Sequence, residues 1–286
     1  MVELNIANRG QQIGFAGDVL NTAIYLSRGL GHAGNVEFVS VLGQDALSAE
    51  MERFIRCEGV GTARIGQHPT RLPGVYSIAV DQDGERSFSY WRDQSAARCL
   101  FEDGFDQLAG FDLIYLSGIT LAILPRERRI ALLEHLRHHP AQIAFDSNYR
   151  PRLWEDQVTA RRVTEMAWRM SDIALPSLDD EIALFGDLDE KAVLARLRRY
   201  GLRKGALKRG HRGPVPIHPH QTCPTVPQAE TVVDTTAAGD SFNGAWLAST
   251  LKHCDPAIAL EQAHQQATRV IAHKGAIIPG KRGLAS

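Results

Sequence analysis

A run of small residues between a short apolar strand and a helical pattern is the strongest chemical signal in the sequence. It occupies residues 232–244 and reads VVDTTAAGDSFNG. Small side chains allow the backbone amides of residues 237–240 to approach an anion closely, and a helix start adds roughly half a positive charge. The run therefore predicts a site for a phosphoryl group.

Asp240 lies at the start of the helix that follows this run. A carboxylate in that position can be a plain N-cap, and this structural interpretation stays open. Beside a phosphoryl group in transfer, the same carboxylate could accept the proton of an incoming hydroxyl, which contributes roughly 10²- to 10⁴-fold in rate. A phosphate site favours the second role, so we predict that Asp240 is a general base.

The elements that must position this segment alternate between apolar runs and helical patterns. Short apolar runs predict strands at residues 36–42, 111–116, 142–145, 172–175 and 206–208. Apolar residues at helical spacing predict helices within residues 19–26, 130–136 and 259–270. Continuous apolar strands that alternate with helices predict an α/β fold, with a parallel sheet covered on both faces.

One region departs from this rhythm and predicts an antiparallel flap. Residues 74–80 and 85–92 are two strand patterns joined by Asp81-Gln82-Asp83-Gly84, a hairpin-turn composition. Strand alternation places Phe88, Tyr90 and Arg92 on one face and Trp91 on the other. An arginine flanked by aromatic residues suits a lid over an anionic ligand, and a solvated edge strand is the alternative.

Composition excludes several classes of function. The formal net charge of -1 gives no electrostatic reason to expect nucleic acid or an anionic membrane as a partner. No secretory signal or membrane-spanning run is present, and the four cysteines form no CxxC pair, which together favour a cytoplasmic protein. His218, His220 and Cys223 fall in a loop with five prolines at residues 213–227 and lack the spacing of a zinc site.

Other short motifs do not support competing functions. Residues 29–34 satisfy GxGxxG, but they follow a helix rather than a strand, so they do not predict a dinucleotide site. The Gly-Asp-Ser at residues 239–241 resembles a hydrolase motif, but no Asp-x-x-His follows it. The P-loop pattern GxxxxGK[ST] is absent from the sequence.

The segment DTTAAGDSFNGAWLA at residues 234–248 resembles the C-terminal signature of the ribokinase-like, or PfkB-type, carbohydrate kinases. Residues 17–28 resemble the N-terminal glycine motif of that family. Residues 72–76, 88–92, 145–154 and 208–210 resemble one branch, the 2-keto-3-deoxygluconate kinases. The resemblance implies a ribokinase-like three-layer α/β/α sheet in a single domain over residues 1–286, with a small β-stranded lid formed by about residues 5–15 and 64–94.

The resemblance also implies an activity, ATP-dependent phosphorylation of a sugar acid, 2-keto-3-deoxygluconate, at its 6-hydroxyl. Two alternatives stay open: a kinase for a related sugar or sugar acid, and a non-catalytic sugar-acid-binding homologue. Mg²⁺ is expected with ATP, but no residue can be named as its ligand. Lid strands that pair between subunits would make a homodimer.

Site residues follow from the resemblance position by position. Those implied to catalyse are Asp240 as the base, the amides of Ala237, Ala238 and Gly239, and Arg150 between the two substrates. Those implied to bind the sugar acid are Ala16, Gly17, Asp18, Val19, Leu20, Tyr76, Tyr90, Trp91, Arg92, Arg150 and Asp240. Those implied to bind ATP are Asn148, Lys208, Arg209, Gly210, Gly213, Ala237, Gly239 and His264. As alternatives, Arg150 could be a surface charge, Lys208 a solvated strand end, and His264 one more residue on a helix face.

The start of the chain breaks the pattern of the family. The resemblance implies a core strand ahead of the lid, and residues 1–4 match only its tail, so the first core strand is apparently truncated. We expect a slot in the parallel sheet that exposes backbone groups at a cost of several kcal/mol, with reduced stability and activity. A start site assigned too far downstream and a degenerate kinase are the two explanations.

Overall fold

The computed structural model describes residues 1–7, 10–80 and 86–280. The predicted turn at residues 81–84, part of the predicted strand at residue 85, and residues 8–9 of the predicted lid lie outside the described residues. The strands are β1 Val2–Ala7, β2 Gly10–Phe15, β3 Ser40–Leu42, β4 Ile65–Gln67, β5 Val75–Val80, β6 Arg86–Trp91, β7 Leu113–Ser117, β8 Gln142–Asp146, β9 Ile173–Ala174, β10 Lys204–Leu207 and β11 Val215–Pro216.

Helices separate most of the strands. They are α1 Asp18–Leu30, α2 Ala46–Cys57, α3 Gly118–Ile123, α4 Arg126–Arg137, α5 Gln157–Met170, α6 Leu178–Phe185, α7 Glu190–Arg199, α8 Ala238–Leu251 and α9 Pro256–Ile271. Among the described residues, none of these helices has both the length and the apolar character needed to cross a bilayer.

Five strands form the main sheet in the order β11-β10-β9-β8-β7. Neighbours from β7 to β10 are parallel, and β11 adds an antiparallel edge. One face is covered by α1, α8 and α9, whose apolar residues pack with Ala144, Ile173 and Ala206. The other face packs against α4, α5, α6 and α7. The predicted α/β fold with a parallel sheet between helical layers is therefore confirmed.

The lid is a separate four-stranded sheet in the order β2-β1-β5-β6. The two strands of the predicted hairpin pair antiparallel, with Tyr76 opposite Tyr90 and Ile78 opposite Phe88. The lid sheet begins at Val2, and β4 at Ile65–Gln67 pairs with β3 instead of joining the lid. Among the described residues, the lid strands comprise 2–7, 10–15, 75–80 and 86–91, a somewhat different set from the expected ranges.

The pair of strands β3 and β4 is separated from the main sheet, whose nearest strand is β7. In the described part of the chain, β7 pairs with β8 alone and β3 pairs with β4 alone. A cavity of about 810 Å³ lies between them, lined by residues of both strands.

Close packing of α1 against α8 brings two distant parts of the chain to one place. A Cβ atom at Gly244 would lie 2.6 Å from the carbonyl oxygen of Thr22, so only glycine fits this crossing. A Cβ atom at Gly29 would likewise lie 2.6 Å from the Cβ atom of Ala248. The starts of the two helices, at Asp18 and Ala238, consequently lie side by side.

Candidate active site

The start of α8 is arranged to receive an anion. The N-cap residue is Ala237, with φ 60 in the left-handed region, and its side chain makes no capping hydrogen bond. The amide of Ala238 donates to the carbonyl oxygen of Thr235 at 3.2 Å. Free amides at a helix start carry partial positive charge and bind phosphate groups well. Asp240 lies in the first turn of α8 rather than at the N-cap, so its interpretation as a plain N-cap is excluded.

Lys208 supplies a second positive charge at this helix start. A Cβ atom at Gly239 would lie 3.7 Å from Lys208 Nζ, which places the ammonium group beside the amides. The same Nζ donates to Asp146 Oδ2 at 2.7 Å and to Asn243 Oδ1 at 3.0 Å. Lys208 is buried rather than a solvated strand end, so the structure favours its predicted role near a phosphate.

The Asp240 carboxylate is held toward α1. Asn21 Nδ2 donates to Asp240 Oδ2 at 2.8 Å. Burial, and then the negative charge of Asp18, raise the Asp240 pKa to about 7, although the hydrogen bond from Asn21 acts in the opposite direction. A general base works best when its pKa lies near the working pH. The surroundings of Asp240 bring its pKa close to neutral pH.

Asp18 links the start of α1 to the ends of β7 and β8. Its Oδ2 accepts hydrogen bonds from Ser117 Oγ and, at 3.2 Å, from Asn148 Nδ2. Burial raises the Asp18 pKa. Asn148 has φ 30, an uncommon backbone for a residue other than glycine, and such strain concentrates at functional sites. The ends of two parallel strands thus deliver polar groups to the same place as Asp240.

Aromatic residues and one arginine form the face of the lid that continues this site. The rings of Tyr76 and Tyr90 stack at 6.0 Å, and the Arg92 guanidinium lies 4.2 Å from the centre of the Tyr90 ring. Burial lowers the Arg92 pKa, while the nearby Asp18 charge raises it. Trp91 lies on the opposite face with 61% of its surface exposed, so the structure does not bring it to this group.

Arg150 follows β8 and contacts a carboxylate that the sequence did not single out. Its Nη1 lies 3.3 Å from Asp180 Oδ1 on α6. Burial raises the Asp180 pKa to about 6, with the Asp146 charge acting in the same direction and the charges of Arg150 and Lys208 opposing it. The half-exposed side chain of Arg150 is free to reach a ligand on its open side.

The predicted nucleotide loop follows β10. Gly210–Arg212 is a 3-10 turn that ends at Gly213, which has φ 72. Arg209 donates to the carbonyl oxygen of Gly213 at 2.9 Å and pairs with Glu190 at 2.9 Å. The guanidinium of Arg209 therefore shapes the loop and does not face the phosphate site.

The remaining predicted residues fall into two groups. Ala16 and Leu20 are buried in apolar clusters, so only their backbones could contact a sugar, and Val19 is partly buried against one of these clusters. His264 lies on α9, where Nε2 is 2.7 Å from the carbonyl oxygen of Pro227. This contact holds the imidazole against the proline-rich segment. The contact between His264 and adenine stays a prediction.

A buried polar network under the site was not foreseen from the sequence. Asp146 accepts from both Lys208 and Asn243 Nδ2, each at 2.7 Å. Asn243 also donates to Tyr115 Oη at 3.1 Å. Asp146 and Asn243 each lie inside sequence segments that carry the family resemblance, which could have indicated that they belong to the site. Tyr115 lies in an ordinary apolar strand, and nothing in the sequence indicated its role.

Known proteins resemble the chain over nearly its whole length. The sequence pattern described as "pfkB family carbohydrate kinase" covers residues 2–282. The chain is 38% identical to 2-dehydro-3-deoxygluconokinase of Escherichia coli and 40% identical to that of Dickeya dadantii, over 98% of this chain and 94% of each relative.

Solved structures agree on the fold. A 2-dehydro-3-deoxygluconokinase from Thermotoga maritima has a TM-score of 0.84 at 21% identity, over 97% of this chain and 92% of the other. A Vibrio cholerae fructokinase bound to fructose, ADP and calcium has a TM-score of 0.82 at 21% identity, over 96% and 91%.

Proposed function

The chain belongs to the pfkB family of carbohydrate kinases, and from this premise we propose that it transfers the γ-phosphoryl group of ATP to the 6-hydroxyl of 2-keto-3-deoxygluconate. That compound is the 2-dehydro-3-deoxygluconate in the names of its relatives, which are 38–40% identical over 98% of the chain. The observation that carries the mechanism is the uncapped start of α8, with Asp240 in its first turn and Lys208 beside it.

The phosphoryl group is held by backbone and by one ammonium group. The amides of residues 237–239 are assigned to the developing negative charge, for which the Ala238 amide would exchange its hydrogen bond to the carbonyl oxygen of Thr235. Lys208 Nζ, beside Gly239, neutralises part of that charge. Preorganised donors of this kind act without reorganisation during the reaction, and the loss of one costs about 10²- to 10³-fold in rate. Asp146 and Asn243 keep Lys208 in place before ATP arrives.

Asp240 takes the proton of the attacking hydroxyl. Its pKa of about 7 lets it be ionised at neutral pH and still accept a proton as the oxygen attacks phosphorus. Asn21 fixes the carboxylate through Oδ2, which leaves Oδ1 for the substrate hydroxyl.

The sugar acid binds between α1 and the lid. Arg92, stacked over Tyr90 and close to Asp18, is the cation that we assign to the carboxylate of the substrate. A guanidinium can bind a carboxylate through two parallel hydrogen bonds, which lysine does not reproduce. Asp18 and Asn148 supply acceptor and donor groups for the sugar hydroxyls.

Arg150 completes the contacts between the two substrates. Its partly exposed guanidinium is paired with Asp180 at 3.3 Å and can turn toward the γ-phosphate or the substrate carboxylate. We assign Lys208, Asn148 and the loop from Gly210 to Gly213 to the ATP side of the site, and His264 to the adenine.

A divalent ion such as Mg²⁺ fits the acidic groups near the phosphate position. Asp146 and Asp180 lie close enough for the charge of one to raise the pKa of the other, an arrangement that a cation would relieve. Asp180 is the more available ligand, because Asp146 already accepts from Lys208 and Asn243. When bound, the ion would neutralise charge on the phosphate oxygens.

We also propose a cytoplasmic homodimer that forms through the lid. Its outer strands β2 and β6 each pair on one side within the described residues. Ile13 and Trp91 on these strands are 58% and 61% exposed, which is unusual for large apolar side chains on a free edge. Sedimentation of the protein and of Trp91→Ala tests this, and a monomeric wild type would contradict it.

A substrate panel tests the activity. ADP release would be measured with 2-keto-3-deoxygluconate, 2-keto-3-deoxygalactonate and fructose, with binding heats recorded in parallel. We expect the highest kcat/KM for the first compound. Heat of binding without ADP release would instead support a non-catalytic sugar-acid-binding protein, and preference for fructose would overturn the assignment of Arg92.

A further inference from the structure

Two consecutive carboxylates of α6 have different surroundings. Asp180 is partly exposed and pairs with Arg150, whereas Glu181 is completely buried. Glu181 Oε2 accepts from Arg196 Nη2 of α7 at 2.7 Å. None of the steps assigned to the reaction uses Glu181. A buried carboxylate destabilises a fold unless it is paired and hydrogen-bonded, and Arg196 satisfies only one of its two oxygens.

Arg196 is itself held from two further directions. Its Nε donates to Asp187 Oδ2 at 3.0 Å, and its guanidinium lies 3.7 Å from the centre of the Phe185 ring. Phe185 ends α6 and Asp187 follows it, so the arginine ties both ends of α6 to α7. The Glu181 carboxylate consequently has a fixed position before any ligand binds.

The second oxygen of this carboxylate faces the loop after β8. Glu181 Oε1 and Ser147 Oγ are both buried, and neither makes a hydrogen bond within the described part of the chain. Burial raises the Glu181 pKa, and the charge of Arg196 and the Ser147 hydroxyl oppose that rise, which places the hydroxyl against the carboxylate. Buried polar groups without a partner are rare in folded proteins. The two groups are complementary, one donor beside one acceptor.

Each end of this contact is one residue away from the site. Ser147 lies between Asp146, which holds Lys208, and Asn148. Glu181 directly follows Asp180. A link between the hydroxyl and the carboxylate therefore sets the spacing between the loop after β8 and the start of α6, the two sides of the space assigned to ATP and its ion.

Asn148 is the residue that depends most on this link. Its backbone, with φ 30, is of a kind that persists only where the surroundings hold it. Its amide donates to Asp146 Oδ1 at 3.2 Å. A Cβ atom at Gly118 would lie 1.9 Å from the carbonyl oxygen of Ser147, so the Ser147 backbone is packed tightly on that side. The side chain of Ser147 is the remaining point at which the loop can be held.

We propose that Glu181 is a positioning residue for the ATP side of the site: fixed by Arg196, it receives the Ser147 hydroxyl and thereby holds Asn148 at a set distance from the start of α6. Glu181 touches neither substrate and acts only through Ser147. This inference rests on the proposed function, because Asn148 and Asp180 are assigned there to ATP and to its ion.

Ser147→Ala removes the hydroxyl and leaves the ion pair between Glu181 and Arg196 intact. We expect the Kd of ATP, measured by calorimetry with Mg²⁺ and without the sugar acid, to rise by about 10-fold. Hydrogen exchange of the Asn148 amide should become faster. Glu181→Gln should cause the same two changes, and the double variant should bind ATP no more weakly than the weaker single variant, because both substitutions remove one contact.

Two controls separate positioning from general stability. Thr164 Oγ1 on α5 is also buried without a hydrogen-bond partner in the described structure, so Thr164→Val removes a matched hydroxyl outside the site. Val193→Ala truncates a completely buried side chain on α7, the helix that carries Arg196, and lowers Tm. Both variants should bind ATP with the affinity of the wild type.

The outcomes distinguish this proposal from the proposed function. Unchanged ATP affinity or unchanged Asn148 exchange in Ser147→Ala would overturn the positioning role, as would additive losses in the double variant or an equal loss in Val193→Ala. If Glu181→Gln does not fold, Ser147→Ala decides alone. A wild-type protein that binds no ATP would contradict the proposed function, and the Asn148 exchange rates would still test the link between Ser147 and Glu181.

Discussion

Replacement of Asp240 by asparagine separates the chemical role of the carboxylate from its cost to the fold. The Asp240 pKa rises from the model-peptide value of 3.8 to about 7. A raised carboxyl pKa contributes stability below the unfolded-state pKa and loses that contribution as the pH rises through the folded-state value. At pH 8 the ionised carboxylate therefore opposes folding.

The size of the effect follows from the shift. About three pKa units correspond to about 4 kcal/mol at pH 8. Because Asp240 is only partly buried, judged by its exposed surface, solvent screening reduces this to about 2 kcal/mol. Asp240→Asn keeps the size of the side chain and removes the charge. We expect Tm at pH 8 to rise by roughly 5 °C, with kcat lower by about 10²- to 10⁴-fold and ATP affinity within a few-fold of the wild type.

Thermal melts between pH 4 and 9, together with kinetics at pH 8, measure both effects. The gain in Tm should disappear near pH 4, where Asp240 is protonated in the wild type. Asp189→Asn is the matched control, because Asp189 caps α7 outside the site, and it should leave kcat unchanged. A variant with wild-type turnover, or one less stable at pH 8 than at pH 5 relative to wild type, would refute the reasoning.

Three further substitutions test neighbouring contacts. Arg92→Ala should raise KM for the sugar acid by about 10- to 100-fold but leave KM for a sugar without a carboxylate nearly unchanged; equal effects would contradict the assignment. Asn21→Ala removes a hydrogen bond that lowers the Asp240 pKa, so the acid limb of the kcat/KM profile should move to higher pH, and an unmoved limb would count against the contact. Lys208→Met leaves Asp146 without its cation, so the free energy of unfolding should fall by about 3–5 kcal/mol, and kcat should fall as well. Urea melts and initial rates measure the two effects, and an unchanged urea midpoint would contradict the prediction.

The position of the site was predictable because its main part is local in sequence. Small residues and the helix that follows them lie within residues 232–251, and their spacing alone indicates an anion site. The strand alternation around Tyr90 and Arg92 likewise depends only on the backbone period. Alternation also places Trp91 away from the site, although the family resemblance had included it.

Contacts across the fold were not predictable in the same way. Asn21 and Asp240 are 219 positions apart, and they meet because Gly244 lets α8 approach α1. Arg209 bonds to Gly213 in its own loop and to Glu190 on α7, a choice of rotamer that sequence spacing does not reveal. Asp180 is raised in pKa by burial and by Asp146, and neither cause is visible before β8 and α6 are packed.

Strand bounds differ where pairing is incomplete. The apolar run at residues 36–42 predicted a seven-residue strand, but β3 covers only Ser40–Leu42. Glu37 keeps a single bridge to Gly61 outside the strand. Because β3 pairs on one side only within the described part of the chain, its ladder has fewer hydrogen bonds to extend it than a central strand has, and the apolar pattern alone could not reveal this.

Direct observation of the product tests the central claim, the transfer of phosphate from the start of α8 to the 6-hydroxyl of the sugar acid. The protein, ATP, Mg²⁺ and 2-keto-3-deoxygluconate would be mixed and followed by ³¹P NMR with correlation to protons. We expect ADP and a new phosphomonoester whose phosphorus correlates with the protons on carbon 6. Unchanged ATP, release of inorganic phosphate alone, or a phosphorus correlated with another carbon would contradict it.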